Sequence, residues 1–204
     1  MGIFRLLSEK PWTVQASEDA YDGKGATTIP SAMVGLRIFL AIVTVMFLLL
    51  TSVYIMRMGL GDWRRLPVPT VLWLNTALLV LSSAGLQWAR IGAERGRVDE
   101  VRYGLLAGGA FAFAFLVGQL LAWRQLGELG YFAATNPANA FFYLITALHA
   151  LHLAGGLVAW GRTVIRLRAG LKLDQLRESV DLCTVYWHFL LVVWIALFGL
   201  LLVT

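Results

Sequence analysis

The strongest constraint on this chain is a series of five long apolar runs separated by short polar loops. The runs cover approximately residues 31–56, 70–91, 101–123, 140–161 and 180–203. An α-helix rises about 1.5 Å per residue, so about 20 residues cross the ~30 Å hydrocarbon core of a bilayer. Strands are not expected, because the runs lack period-two alternation and a sheet in lipid must close into a barrel. The sequence therefore predicts an all-α membrane protein, a bundle of five transmembrane helices within residues 31–204.

The composition supports a membrane protein and argues against a nucleic-acid partner. Hydrophobic residues make up 59% of the chain and charged residues 14%, against about 45–50% and about 25% in soluble domains. The net charge of +5 comes from Lys and Arg residues clustered between the apolar runs, a pattern typical of membrane topology. The single cysteine, Cys183, excludes a disulfide within the chain and is expected to be a small buried apolar residue.

The segment 1–30 is expected to be a polar arm at the membrane surface, because it mixes both charge signs with Gly, Pro and Thr and has no apolar core. It therefore does not resemble a cleavable signal peptide. Thirteen Lys and Arg residues fall on the side of the arm and the second and fourth loops, and four fall on the other side. By the positive-inside rule, the N-terminus is predicted to be cytoplasmic and the C-terminus outside.

Three histidines are set inside the apolar runs: His149 and His152 in the fourth, and His188 in the fifth. Positions three residues apart share a helix face, so His149 and His152 are expected to point the same way. At 1.5 Å per residue all three fall near the middle of the membrane, where polar residues are costly and usually mark a site. Two interpretations remain open on the residues alone: a metal or haem site, or hydrogen bonding between helices.

The other polar side chains in the runs are neutral, among them Asn75 and Gln119. This argues against a proton or ion relay, which is normally lined by Asp, Glu or His. Small residues are frequent, as in AGGAFAFA and LAGGL, and they permit close approach of helices.

Several local strings together resemble subunit III of the haem-copper respiratory oxidases. YWHFLLVVWIALF in the last run, preceded by Asp181, is similar to the family's YWHFVDVVW signature, and FFYLITALHALHLAGGL is similar to its FHGLHV helix. The LNT at residues 74–76 and the Gly-Gln at 118–119 resemble strings of two earlier helices. Order, spacing and topology agree over about residues 31–204, and the five-helix form is similar to subunits of bacterial quinol oxidases and some cytochrome c oxidases.

The resemblance implies a non-catalytic subunit of a proton-pumping terminal oxidase in the bacterial plasma (inner) membrane. It implies no cofactor on this chain, with haem and copper on partner subunits. The expected partners are subunit I by direct contact, subunit II, a small subunit IV as a further candidate, and membrane phospholipids. It favours structural, interhelical roles over metal binding for the polar and aromatic residues of the runs, namely His149, His152, His188, Trp187, Trp194, Asn75 and Gln119.

Three departures from the family pattern remove membrane carboxylates. Thr44 stands where the first shared helix of the family has glutamate, Ala122 replaces the acid of the third helix, and Leu191 replaces the aspartate of YWHFVD. Functions that need a protonatable group at these positions are therefore not expected. Two alternatives stay open: an accessory subunit of nitric oxide reductase, and a stand-alone cytochrome or metal protein that uses the three histidines.

Overall fold

The computed structural model describes residues 31–61, 63, 67–170 and 173–203, and they form five helices. The helices are α1 (Ser31–Met58), α2 (Val71–Glu94), α3 (Val98–Glu128), α4 (Pro137–Arg168) and α5 (Leu173–Val203). Each contains a span long and apolar enough to cross a membrane, and the described residues contain no strand. The predicted five-helix, all-α membrane fold is therefore confirmed. The arm predicted for residues 1–30 lies outside the described residues.

Three helices extend well beyond the predicted apolar runs. α3, α4 and α5 contain 31, 32 and 31 residues, or roughly 46–48 Å at 1.5 Å per residue. The extra turns carry charge, as at Arg166 and Arg168 in the last turn of α4. Hydropathy marks only the part of a helix that lies in hydrocarbon, whereas the backbone bonds continue into the polar interface.

The helix ends follow local capping chemistry. Gly96, Gly130 and Gly170 have φ values of 72°, 83° and 74° and follow the ends of α2, α3 and α4, a conformation that glycine adopts without steric cost. α4 begins with Pro137 in its first turn, and the side chain of Asn136 accepts a hydrogen bond from the backbone N–H of Ala138 at 3.1 Å. Such caps satisfy groups that the helix itself leaves unpaired.

The closest helix pair is α2 and α3, and glycines make the approach possible. A Cβ added at Gly104 would lie 2.6 Å from the backbone nitrogen of Ala89 and 2.7 Å from the carbonyl oxygen of Gly85. A Cβ at Gly85 would in turn lie 2.9 Å from the backbone nitrogen of Gly108. This backbone-to-backbone contact, the glycine seam (Gly85, Gly104 and Gly108), is the kind of packing that small residues allow in membranes.

The remaining helices pack around this pair to different extents. α5 contacts both α2 and α4, and α4 also contacts α3. Large side chains of α5 fill the interior, and Trp187 and Trp194 are completely buried. α1 buries only Val43, Phe47 and Tyr54, so most of its surface faces outward.

Candidate functional site

The bundle interior contains a set of polar side chains that join different helices. We call it the interior polar cluster, and its members are Asn75, Thr76, Ser82, Gln119, His149, Trp187 and Trp194. All except Thr76 are at most 1% exposed. Because lipid tails are as apolar as Leu, helix association in membranes depends on packing and on hydrogen bonds such as these.

Ser82 joins three helices. The indole Nε1–H of Trp187 in α5 donates to the Ser82 hydroxyl in α2 at 2.9 Å. That hydroxyl donates to the carbonyl oxygen of Gly108 in α3 at 2.6 Å. One hydroxyl thus accepts and donates at the same time, next to the glycine seam.

A second group of bonds lies toward the other end of α2. The indole Nε1–H of Trp194 donates to the hydroxyl of Thr76 at 2.9 Å. The neighbouring amide of Asn75 donates from Nδ2 to Oε1 of Gln119 in α3, at a long 3.4 Å. Gly118 provides the space, because a Cβ there would lie 2.0 Å from Oδ1 of Asn75. The contacts of Trp187, Trp194, Asn75 and Gln119 are therefore interhelical.

His149 lies in the interior among aromatic rings. Its ring centroid is 5.1 Å from that of Trp194, 5.8 Å from that of Phe115 and 6.5 Å from that of Phe47. Neither ring nitrogen has a hydrogen-bond partner within the described part of the chain. His149 therefore contacts helices α1, α3 and α5 through ring packing.

His152 shares the face of His149, as its spacing predicts. Its ring centroid is 5.7 Å from that of Phe47, which also contacts His149, and 6.3 Å from that of Phe39. Its Nδ1 donates to the carbonyl oxygen of Leu148 at 2.7 Å, one turn earlier in the same helix. This half-buried ring thus lies between α4 and α1.

His188, for which the resemblance implied a role between helices, lies on the outer surface of α5. The residue is exposed, and its Nδ1 donates to the carbonyl oxygen of Thr184 in its own helix at 2.8 Å. The physical reason is its position on α5: Trp187 and Trp194 occupy the inner face, and His188 falls on the outer face with Val192 and Ile195. The three imidazoles are therefore divided between the interior, the α1–α4 boundary and the outer surface.

The described residues contain no group of three His, Cys, Asp or Glu side chains arranged to hold a metal ion. Cys183 is buried, as predicted, and its sulfur lies 3.6 Å from the hydroxyl of Thr163. At the positions where the family pattern has acids, Thr44 is exposed, Ala122 is completely buried and Leu191 is intermediate. The geometry gives no support to a metal site built on the three histidines.

Two hydrogen bonds between helices involve residues that the sequence did not indicate as interhelical contacts. The Nε1–H of Trp160 in α4 donates to the carbonyl oxygen of Leu105 in α3 at 2.8 Å, and its ring covers Gly109, where a Cβ would lie 2.1 Å from the indole. The hydroxyl of Tyr186 in α5 donates to the carbonyl oxygen of His152 at 2.8 Å. Tryptophans near the ends of apolar runs are typical of the membrane interface. The position of Trp160 in the sequence therefore did not indicate a contact between helices.

A groove of about 500 Å³ lies between α1, α4 and α5. Apolar residues form much of its wall, among them Leu36 of α1 and Tyr186 of α5, with Gly155 and Gly156 of α4 beside them. Basic side chains lie toward one end, and the lining includes Arg162 and Arg166. Arg166 donates to the hydroxyl of Ser179 at 3.0 Å.

An ion pair joins α2 and α5 near the same end of the bundle. Nε of Arg90 lies 3.2 Å from a carboxylate oxygen of Asp181 and 3.4 Å from one of Glu94. Asp181 is the acid that precedes the YWHF string. Like the basic end of the groove, this pair belongs to the charged rim of the bundle.

The comparison with known families agrees with this architecture. The family model for cytochrome c oxidase subunit III matches residues 4–203. The chain belongs to the cytochrome c oxidase subunit III family. A cytochrome c oxidase subunit 3 of Thermostichus vulcanus is 30% identical over 177 residues, covering 83% of this chain and 85% of the relative.

Two further relatives come from other bacteria. A probable cytochrome c oxidase subunit 3 of Nocardia farcinica is 33% identical over 147 residues, which cover 68% of this chain and 70% of the relative. One of Mycobacterium bovis is 32% identical over 143 residues, again 68% and 70%. The resemblance inferred from the sequence strings is therefore confirmed, and the chain is a multi-pass membrane protein of a respiratory oxidase family.

Proposed function

We propose that this chain is the non-catalytic subunit III of a proton-pumping terminal haem-copper oxidase, which reduces oxygen to water and in which the chain stabilises the catalytic subunit I. The observation that carries the proposal is the subunit III family match over residues 4–203, together with interior polar groups that are used for contacts between helices. Haem and copper belong to partner subunits in this proposal. Subunit II and a small subunit IV complete the set of expected protein partners.

The arrangement of polar groups supports a structural role. Ser82, Trp187 and Trp194 are engaged in interhelical hydrogen bonds. Thr44, Ala122 and Leu191 stand where the family pattern has membrane carboxylates. Proton movement in the assembled enzyme is therefore assigned to the partner subunits, and this chain supports their active arrangement.

Membrane phospholipid is the proposed small-molecule partner, and the groove is its proposed site. The combination of an apolar wall with Arg162 and Arg166 in the lining matches an acyl chain and an anionic headgroup. A charged headgroup near two guanidinium groups forms charge-assisted hydrogen bonds.

The test is purification of the complex in mild detergent through a tag on this chain. The expected result is co-purification of haem-containing subunits, with an oxidase spectrum and oxygen consumption. Consumption of nitric oxide in place of oxygen would assign the chain to a nitric oxide reductase. A Soret band retained by the isolated chain would instead support the stand-alone cytochrome.

The proposed location is the bacterial inner membrane, with the N-terminus in the cytoplasm and the C-terminus outside. A reporter fused after residue 204 is expected to be active only if it functions outside the cytoplasm, because of the thirteen-to-four distribution of Lys and Arg. The matched control is the same reporter fused after Gly96, in the loop between α2 and α3, which is expected to be cytoplasmic. The opposite pair of signals would contradict the proposed orientation.

A further inference from the structure

His188 is an exposed polar residue deep within a membrane span. It lies eight residues beyond the start of the apolar run 180–203, or roughly 12 Å at 1.5 Å per residue, within a core ~30 Å thick. It is also one turn beyond Thr184, whose hydroxyl is buried and bonded to α2. The ring is therefore near the middle of the membrane and points away from the bundle.

The hydrogen bond of the His188 ring determines which of its two nitrogens has no partner. Nδ1 lies 2.8 Å from the carbonyl oxygen of Thr184, and because a carbonyl oxygen only accepts, Nδ1 carries the proton. A neutral imidazole has one N–H, so Nε2 is an acceptor. No donor to Nε2 is present within the described part of the chain. The surface thus shows one unsatisfied acceptor at mid-membrane depth.

Two exposed hydroxyls near the middle of α1 do not have this feature. The hydroxyl of Thr44 donates to the carbonyl oxygen of Leu40 at 2.8 Å, and that of Ser52 donates to that of Leu48 at 2.8 Å. Both hydroxyls therefore satisfy their donors within α1 and can face lipid tails. His188 satisfies one nitrogen in this way and leaves the other without a partner.

We propose that the outer face of α5 around His188, formed by Val185, His188, Val192 and Ile195 and called here the α5 face, docks a transmembrane helix of another subunit that presents a hydrogen-bond donor to Nε2. A Ser or Thr hydroxyl, a Trp indole or an Asn or Gln amide fits this requirement. Val192 and Ile195 are 65% and 51% exposed and supply the apolar area around the bond. This assignment rests on the proposed role as an oxidase subunit.

Two other occupants fit the α5 face less well. Lipid tails offer no donor, and headgroups lie at the edges of a ~30 Å hydrocarbon core, far from mid-depth. A symmetric pair of this chain would bring the same patch together from both copies, so that two Nε2 acceptors would face one another. Chemical complementarity therefore favours a different chain.

The first test compares variants in the intact complex after tagged purification. His188→Leu removes the acceptor, and the ratio of partner-bound to free chain is expected to fall about three- to ten-fold, as for one hydrogen bond between membrane helices. His188→Gln supplies an amide oxygen at similar reach and is expected to stay within about two-fold of wild type. Thr44→Val is the matched control, because it also removes an exposed mid-span polar group, and it is expected to have no effect.

The second test places a photo-crosslinking residue at position 192, one turn from His188. The expected result is an adduct with another subunit of the complex, and no such adduct once the subunits are separated in harsh detergent. An adduct with lipid alone in the intact complex, or with a second copy of this chain, would overturn the inference. So would equal retention of partners by the Leu variant and wild type.

Failure of this inference is distinguishable from failure of the proposed function. If the wild-type chain brings no haem-containing subunit with it, the proposed function fails. If the wild-type chain brings these subunits and both tests at the α5 face are negative, only the assignment of the surface fails.

Discussion

α1 and the bundle formed by α2–α5 are held in the membrane by different means. In the α2–α5 bundle, polar side chains bond from one helix to another, as Trp187 does to Ser82, and glycines bring two backbones together. In α1, the hydroxyls of Thr44 and Ser52 bond within their own helix, and the contacts with α4 and α5 are made by rings such as Phe39 and Phe47. The same residue types therefore have different energetic roles in the two regions. The same substitution is expected to lower the stability more in the α2–α5 bundle than in α1.

The largest difference is expected between Gly104→Ala in α3 and Gly35→Ala in α1. A Cβ at Gly104 would meet backbone atoms of Ala89 and Gly85 at 2.6–2.8 Å, and a backbone cannot move aside as a flexible side chain can. Overpacking of this kind costs about 1–3 kcal/mol. A Cβ at Gly35 would meet nothing within 4 Å, so this variant is expected to be neutral or up to about 1 kcal/mol more stable.

The measurement is the free energy of unfolding of the purified chain in mixed micelles, titrated with a denaturing detergent. Equal stability of the two glycine variants would mean that α2 and α3 separate at little cost. That result would contradict the expected difference between α1 and the α2–α5 bundle.

A smaller difference is expected between Ser82→Ala and Ser52→Ala. Removing the Ser82 hydroxyl leaves the indole N–H of Trp187 and the carbonyl of Gly108 without the bonds of 2.9 Å and 2.6 Å, at a cost of about 1–2 kcal/mol. The hydroxyl of Ser52 is exposed and bonds to its own helix, so Ser52→Ala is expected to change stability by less than about 0.5 kcal/mol.

The same detergent titration measures both serine variants. Trp187→Phe should make the later Ser82→Ala change less costly, because the two groups share one bond. Additive effects in this double-mutant cycle would show that the bond contributes nothing to stability.

The smallest difference is expected between Thr184→Val and Thr44→Val, which conserve side-chain shape. The hydroxyl of Thr184 is 3.2 Å from the carbonyl oxygen of Leu86 in α2 and 2.8 Å from that of Val180 in its own helix. Its loss is expected to cost about 0.6 kcal/mol, the average for such bonds in membranes, while Thr44→Val should cost nothing measurable. Proteolysis rates of the two variants in detergent should follow the same order, and a reversal would place the stronger contact in α1.

The sequence predicted the helices well because hydropathy and length report directly on the requirement to cross the membrane. The shared face of His149 and His152 was also predictable, since it depends only on helical spacing. The exposure of His188 was not, because α5 is apolar on both its lipid-facing and its inner side. The periodicity that marks the buried face of a soluble helix is therefore weak, and no pattern separates position 187 from position 188.

The contacts between helices could not be predicted from the sequence either. The bond from Trp160 to the carbonyl of Leu105 depends on the crossing of α3 and α4 and on the space above Gly109. A single sequence does not determine that crossing. The string around Gly104 and Gly108 indicated close approach, but the partner residues Gly85 and Ala89 become evident only when the two helices are placed side by side.

The glycine seam has a consequence for how the chain is inserted into the membrane during synthesis. α2 and α3 are neighbours along the chain and are joined by a loop of residues 95–97, so this hairpin can close as soon as α3 leaves the ribosome. α1 emerges earlier, and apart from Trp63 in the loop that follows it, its ring partners Phe141, His149, His152 and Tyr186 belong to α4 and α5. The order of packing therefore differs from the order of synthesis, and α1 is expected to remain available to insertion factors or chaperones until the second half of the bundle has been made.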